Sequence, residues 1–245
     1  YGWYGLRVTS SVAGTAAFYY SFLVGKKGEE VTITYNPDGN FIDDASLYSS
    51  FLYYNYGVTG NILAEEVTTT NDIRGLLRFR LWLDPAFTMN EASLYLSRST
   101  ATASSGSNNT VRLNRVNNDW GEMTVTHSSM PNSSSTEYLE IAHSTITSLS
   151  KIQLDALSQF QTWQQDNISN YGWLVQLLYY NNISKYQRFY SSDHATASYR
   201  PYVRFKIKVE EDTELVWSHG NGVDISVGQT FVKKNTQSVA VPYCR

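Results

Sequence analysis

At 245 residues the chain can bury roughly 70 to 75 per cent of the surface its unfolded form exposes, so one large β domain with appendages needs no disulfide framework. Its 19 basic and 22 acidic side chains leave a net charge of -3 with both signs scattered, and the lack of a basic stripe excludes nucleic acid as a partner. No apolar run approaches the roughly 20 residues of a membrane span, and the one cysteine, Cys244, cannot pair within the chain.

The first 33 residues form a segment of their own. Leu6, Val8, Val12, Ala16, Phe18, Tyr20, Phe22 and Val24 stand at even positions, interrupted only by Ser10 and Gly14, so an extended chain carries them on one face. Residues 6 to 24 would span roughly 60 Å at about 3.3 Å per residue, whereas a domain of this size is about 45 Å across. Two readings are open. The segment bends at Gly14 into two strands of one domain, or it leaves and completes the sheet of a neighbouring copy. A donated strand would satisfy unpaired backbone groups at a sheet edge and bury side chains worth on the order of 10 kcal/mol. Repeated head to tail, that contact builds an open filament. The donated strand is the expected arrangement.

From 34 to 209 the pattern is short Tyr-, Val-, Leu- and Phe-rich runs between turn signals. The turns are Asn36-Pro37-Asp38-Gly39-Asn40, residues 104 to 109, and Pro131 to Ser135. Strands are predicted at 30–35, 46–54, 74–83, 92–98, 110–116, 122–127, 171–180, 186–191 and 200–209, and a helix at 153–165. In 74–83, Leu77, Phe79, Leu81 and Leu83 share a face. Burial of such side chains is worth about 1.5 to 3 kcal/mol each, so that face is core. Arg78, Arg80 and Trp82 share the other. It is either a row that stacks on sugar and pairs with uronic carboxylates, or an ordinary solvent-facing or flank-covered strand surface.

Beyond 209, Leu215-Val216-Trp217 and Val223, Ile225 and Val227 flank Gly220-Asn221-Gly222, a hairpin signature within a C-terminal extension, 210–245.

One stretch carries more information than any other: Asn117-Asn118-Asp119-Trp120-Gly121-Glu122-Met123-Thr124-Val125-Thr126-His127, closed by Pro131. It reads as a tryptophan corner anchor feeding a half-buried strand. Other motifs accompany it in order. They are Asp44-Ala45-Ser46-Leu47-Tyr48, Asn55-Tyr56-Gly57, Gly75 to Leu81, Ala92 to Leu96, a helical insert around Leu157, Phe160 and Trp163, and Asn170 to Val175. Phe189-Tyr190-Ser191-Ser192-Asp193 and Tyr199 to Ile207 complete the set. The ordered set resembles the DNRLRE domain family, extracellular jelly-roll modules that include alginate-binding carbohydrate-binding modules. The resemblance implies a polysaccharide partner, an anionic glycan such as alginate. His127 stands where the family has Trp.

Catalytic chemistry is not expected. His127, His143, His194 and His219 have no paired ligand spacing, and Asp43-Asp44 and Glu65-Glu66 would point to opposite strand faces, so neither pair can flank one glycosidic bond. Asp38, Asp43 and Asp44 are weak calcium candidates, because hard oxygen ligands cluster in acidic turns. Sequons at Asn108, Asn132, Asn167 and Asn182 lie in polar stretches and are candidate N-glycosylation sites. A chain that begins at Tyr1 reads as a secreted product with its signal removed.

The expectation is an all-β, antiparallel β-sandwich of jelly-roll type with one short helix: a strand segment at 1–33, the sandwich at 34–209 and an extension at 210–245. Its expected role is a non-catalytic, extracellular structural subunit of a cell-surface filament or layer, joined to copies of itself by strand complementation. The alternative is a polysaccharide-binding module for an anionic glycan.

Overall fold

A computed structural model of the chain describes residues 3–8, 18–24, 30–35, 41–68, 71–81, 88–99, 108–143, 150–165, 170–178, 185–208 and 214–219. For 3–8, 18–24 and 214–219 it describes strand placement alone. In chain order the strands are β1 (Trp3–Val8), β2 (Phe18–Val24), β3 (Glu30–Tyr35), β4 (Ile42–Tyr48), β5 (Asn61–Thr68), β6 (Asn71–Phe79), β7 (Thr88–Ser97), β8 (Val111–Val116), β9 (Ser133–Ile141), β10 (Lys151–Asp155), β11 (Trp173–Leu177), β12 (Lys185–Tyr190), β13 (Tyr202–Lys208) and β14 (Glu214–His219). A helix, α1 (Leu157–Gln165), follows β10.

Two antiparallel sheets make the expected sandwich. One has the order β10-β7-β13-β3; the other runs β12-β5-β6-β11-β8-β9, with β4 against the second edge of β6. Strand alternation sorts the side chains: Val203, Phe205 and Ile207 of β13 are buried, while Tyr202, Arg204, Lys206 and Lys208 face outward. The inward set joins Leu94, Leu96, Phe79, Trp173, Val175 and Phe189 in one core. At one end α1 inserts Phe160 and Trp163. The Phe160 ring meets Trp173 at 5.7 Å and Phe205 at 4.9 Å edge-on, joining helix and both sheets. Gln159 Oε1 accepts from the Trp173 indole N–H, which leaves that buried donor satisfied.

The larger sheet is covered on its outer face too. Residues 117–131 fold over it, and Trp120 and Val125 pack on Ala45, Leu47, Leu76, Val116 and Leu174. The Trp120 indole N–H donates to the Tyr171 carbonyl at 2.8 Å, so the tryptophan anchor is as the sequence suggested. The strand predicted at 122–127 is not. The Thr124 and Val125 amides both turn back to the Gly121 carbonyl, Met123 is exposed, and a 3-10 turn capped by Thr126 occupies His127–Ser129. Alternation within 122–127 recorded one buried residue in a turn, not a pleat. Gly172, just before β11, makes a close approach to β6 possible: it holds φ +74°, and a Cβ there would lie 2.0 Å from the Leu77 carbonyl oxygen.

Other boundaries differ for physical reasons. The strand expected at 46–54 starts at Ile42, because Asp43 and Asp44 are buried with partners instead of marking a turn. β5 was not predicted. Its Glu65 and Glu66 look like surface residues, yet they meet Arg188 at 3.0 Å and the wholly buried Lys185 at 3.3 Å. The Ser133 to Ser135 run read as a turn begins β9. The helix predicted at 153–165 divides, since Asp155 closes β10 and its carboxylate accepts the Leu157 amide at the start of α1.

The leading segment is two strands rather than one. β1 and β2 pair antiparallel, Val8 opposite Phe18 and Trp3 opposite Leu23, and β2 pairs in turn with β14. Leu6, Val8, Phe18, Tyr20, Phe22 and Val24 therefore sit in a three-stranded sheet of this same chain. Val12 and Ala16 lie outside the described residues, as do Gly14 and the glycine turn at 220–222. The donated strand gains no support from this pairing.

Phe160→Ala should lower the unfolding free energy by about 3 to 5 kcal/mol, because it removes the ring at which helix and both sheets meet. Urea titration followed by tryptophan fluorescence measures it, and a loss below about 1 kcal/mol would refute this account of the helix.

Candidate functional site

The outward row anticipated for sugar recognition is occupied from within. Arg78 and Arg80 both turn to Asp43, with contacts of 2.6 Å and 2.5 Å to a carboxylate that is 1% exposed. Arg78 also donates to Asp119 at 2.6 Å and to the Trp120 carbonyl at 2.9 Å, and its guanidinium stands 4.9 Å from the Trp120 ring centre. Two guanidiniums compensate one buried acid, a structural ion cluster beneath the 117–131 layer. Arg78 and Arg80 are thus ion-paired rather than free cations. Trp82 lies outside the described residues.

The opposite face of β4 presents Asp44. Its Oδ2 accepts the Ser192 amide at 2.7 Å, and its own amide donates to Glu122 Oε1 at 3.0 Å. Asp44, Glu122 and Asp193 each bring a carboxylate oxygen within 4.8 Å of the others. Of the calcium candidates taken from the sequence, Asp44 alone belongs here; Asp43 is neutralised on the other face and Asp38 lies outside the described residues. Glu122 and Asp193 were missed as a pair with Asp44. Glu122 was assigned to a strand, and only folding brings residues 122 and 193 to residue 44.

A third feature is a patch of exposed aromatic side chains. The β4–β5 connection carries Phe51, Tyr53 and Tyr54 at 48%, 79% and 66% exposure, beside exposed Leu52 and Val58. Its base is built. Tyr48, Phe51, Tyr54 and Tyr56 pack ring against ring, with Tyr48 and Tyr56 centroids 4.4 Å apart. Asn55 donates to the Glu122 and Val125 carbonyls at 2.7 Å each, and the Leu52 carbonyl accepts the Ser128 amide. Gly57 fits against the Glu122 carbonyl oxygen, which a Cβ would approach to 2.2 Å. Apolar rings in water on a braced loop signal an interaction surface.

The outer face of the four-stranded sheet offers a fourth. Tyr95 and Tyr202 stack with centroids 4.5 Å apart. Lys151 stands 4.8 Å from the Tyr202 ring and Arg204 5.3 Å from the Tyr95 ring. Neither cation has a carboxylate partner among the described residues, whereas nearby Lys206 is held by Glu30 and Glu91.

Glu65 and Glu66 face opposite sides of β5, each with its own cation, an arrangement unlike the facing carboxylates of glycoside hydrolysis. Of the sequon residues, Asn108 and Asn132 are exposed; Asn167 and Asn182 lie outside the described residues.

Burial pushes the Asp44 carboxyl up to about 8 and that of Glu122 to about 7, and burial also raises Asp193. The folded chain then holds protons that the unfolded chain releases near pH 4. Stability contributed by these groups is complete below that range and is lost as pH rises through about 7 to 8. In chelator-containing buffer, thermal unfolding should occur at higher temperature at pH 5 than at pH 8, and Asp44→Asn should flatten the difference. An unchanged pH profile in the variant would refute the assignment.

No curated protein matches the chain as a relative. The family comparison agrees with the carbohydrate-binding side of the sequence resemblance, though under another name than DNRLRE. Residues 40–204, most of the chain and the sandwich from β4 into β13 without β3, match Carbohydrate-binding module family 96, and the chain belongs to that family.

Proposed function

We propose that the protein is an extracellular polysaccharide-binding module whose contact surface is the aromatic connection between β4 and β5. The observation that carries this is the exposure of Phe51, Tyr53 and Tyr54 on a mount braced by Asn55 and the rings of Tyr48 and Tyr56. A sugar ring offers an apolar C–H face to an aromatic ring. Rigid tyrosines with two side-chain torsions lose little entropy when they make that contact. The exposed sequon residues Asn108 and Asn132 are in keeping with a secreted protein. Binding a polymer, rather than donating a strand to a neighbour, is the role assigned.

A second reading follows from Lys151 and Arg204. Two cations on a flat sheet face, beside stacked tyrosines and without acidic partners among the described residues, suit a chain that carries carboxylates. An anionic glycan such as alginate would then bind here and not at Arg78 and Arg80.

Calorimetry on the full chain with neutral and uronate-containing polysaccharides separates the two. On the first reading Tyr53→Ala or Tyr54→Ala weakens binding about five- to tenfold, equivalent to about 1 to 1.4 kcal/mol, with the melting temperature unchanged. Wild-type affinity in the Tyr53→Ala, Tyr54→Ala double variant would overturn it. On the second, Arg204→Ala lowers affinity for the uronate polymer and its sensitivity to salt; binding unmoved by salt or by this variant would rule it out.

A further inference from the structure

We infer that Asp44, Glu122 and Asp193 form a calcium-binding site that pins the 119–126 loop and the segment after β12 to the free edge of β4. Three observations converge. One carboxylate oxygen from each residue lies within 4.8 Å of the others, the span expected of ligands that all sit 2.3 to 2.6 Å from one central ion. Asp44 is wholly buried, and while Oδ2 accepts the Ser192 amide, Oδ1 is buried and accepts no hydrogen bond from any described residue. A carboxylate oxygen in that state is costly unless a proton or a cation neutralises it, and a cation can take the proton's place. The segments also come from distant parts of the chain: β4, the tryptophan-anchored layer and the Ser191-Ser192-Asp193 turn.

The donor set selects the ion. All three ligands are carboxylates, hard oxygen donors, with no thiolate or imidazole in the group, which disfavours zinc and copper. They differ in exposure, Asp44 at the bottom and Asp193 at the mouth, so water can complete the six to eight oxygens that calcium takes. Irregular, partly solvated carboxylate sets suit calcium better than magnesium, which demands a near-ideal octahedron at shorter distance. Cations of the protein are only peripheral: Arg80 and Arg200 influence Glu122 and Asp193 at a distance, and neither bonds to the cluster among the described contacts.

The ion would act on more than its ligands. Glu122 already accepts the Asp44 amide at the open edge of β4, and the Glu122 carbonyl accepts from Asn55, which braces the aromatic connection. Calcium therefore sits under the mount of Tyr53 and Tyr54. The site stands apart from the sugar-binding reading, and either can fail alone.

The test uses the full chain, stripped with chelator and dialysed, with calcium chloride as the probe. Calorimetry should give one ion per chain, and saturating calcium should raise the melting temperature at pH 7.5 by several degrees. Glu122→Gln keeps the oxygen that accepts the Asp44 amide, and Asp193→Asn lies at the surface, so both variants should fold. Each should weaken calcium binding at least about tenfold, while Glu91→Gln, an exposed acid elsewhere, should not. Circular dichroism of the chelated variants separates loss of binding from loss of fold. No calcium uptake by the wild-type chain, undiminished uptake by Glu122→Gln, or an equal response to magnesium would overturn the assignment.

Discussion

Two consecutive aspartates on a strand buried on both faces set the terms for the rest of this structure. Asp43 and Asp44 occupy β4, where every residue from Ile42 to Leu47 is buried. Alternation sends the two carboxylates to opposite sides, so one device cannot serve both. On one side Arg78 and Arg80, two residues apart in and just after the paired strand β6, close on Asp43. On the other, the Ser192 amide and a carboxylate from the tryptophan-anchored layer meet Asp44 and its backbone. Removing one member of such a set leaves a buried charge uncompensated, typically a cost of about 3 to 5 kcal/mol.

Among the described residues β4 is also an edge strand, paired with β6 alone. Such an edge invites pairing with other chains unless it is covered. Here the outward amides of Asp44 and Ser46 donate to Glu122 Oε1 and to the Tyr56 carbonyl, so loops take the place of a further strand. The same loops hold the aromatic connection. A stable edge and a rigid mount for Tyr53 and Tyr54 are thus two results of one arrangement.

Chemistry-bearing residues were legible in unequal measure. Trp120 announced itself as an anchor, and its indole does close on Tyr171. Arg78, Arg80 and Asp43 could each be named, but not their mutual contact, because strand pairing across a gap of 35 residues leaves no local mark. Of the readings open for that row, a covered strand surface is the one these contacts favour. Glu65 and Glu66 hid β5, since acids on a strand read as surface until Arg188 and Lys185 arrive from β12. Tyr53 and Tyr54 sat inside a predicted strand; their exposure depends on β4 ending at Tyr48.

The sequence by itself determined the antiparallel β class, the helix around Phe160, most strand positions and the carbohydrate-binding kinship, because side-chain period, turn residues and ordered motifs are local properties of the chain. Only the tertiary structure decided which face of each strand meets a partner, that the leading segment is a hairpin paired to β14, and that residues 44, 122 and 193 converge. Those outcomes depend on strand order and register. Both are fixed by burial and hydrogen bonding between segments far apart in sequence, where no short-range pattern can specify the neighbour.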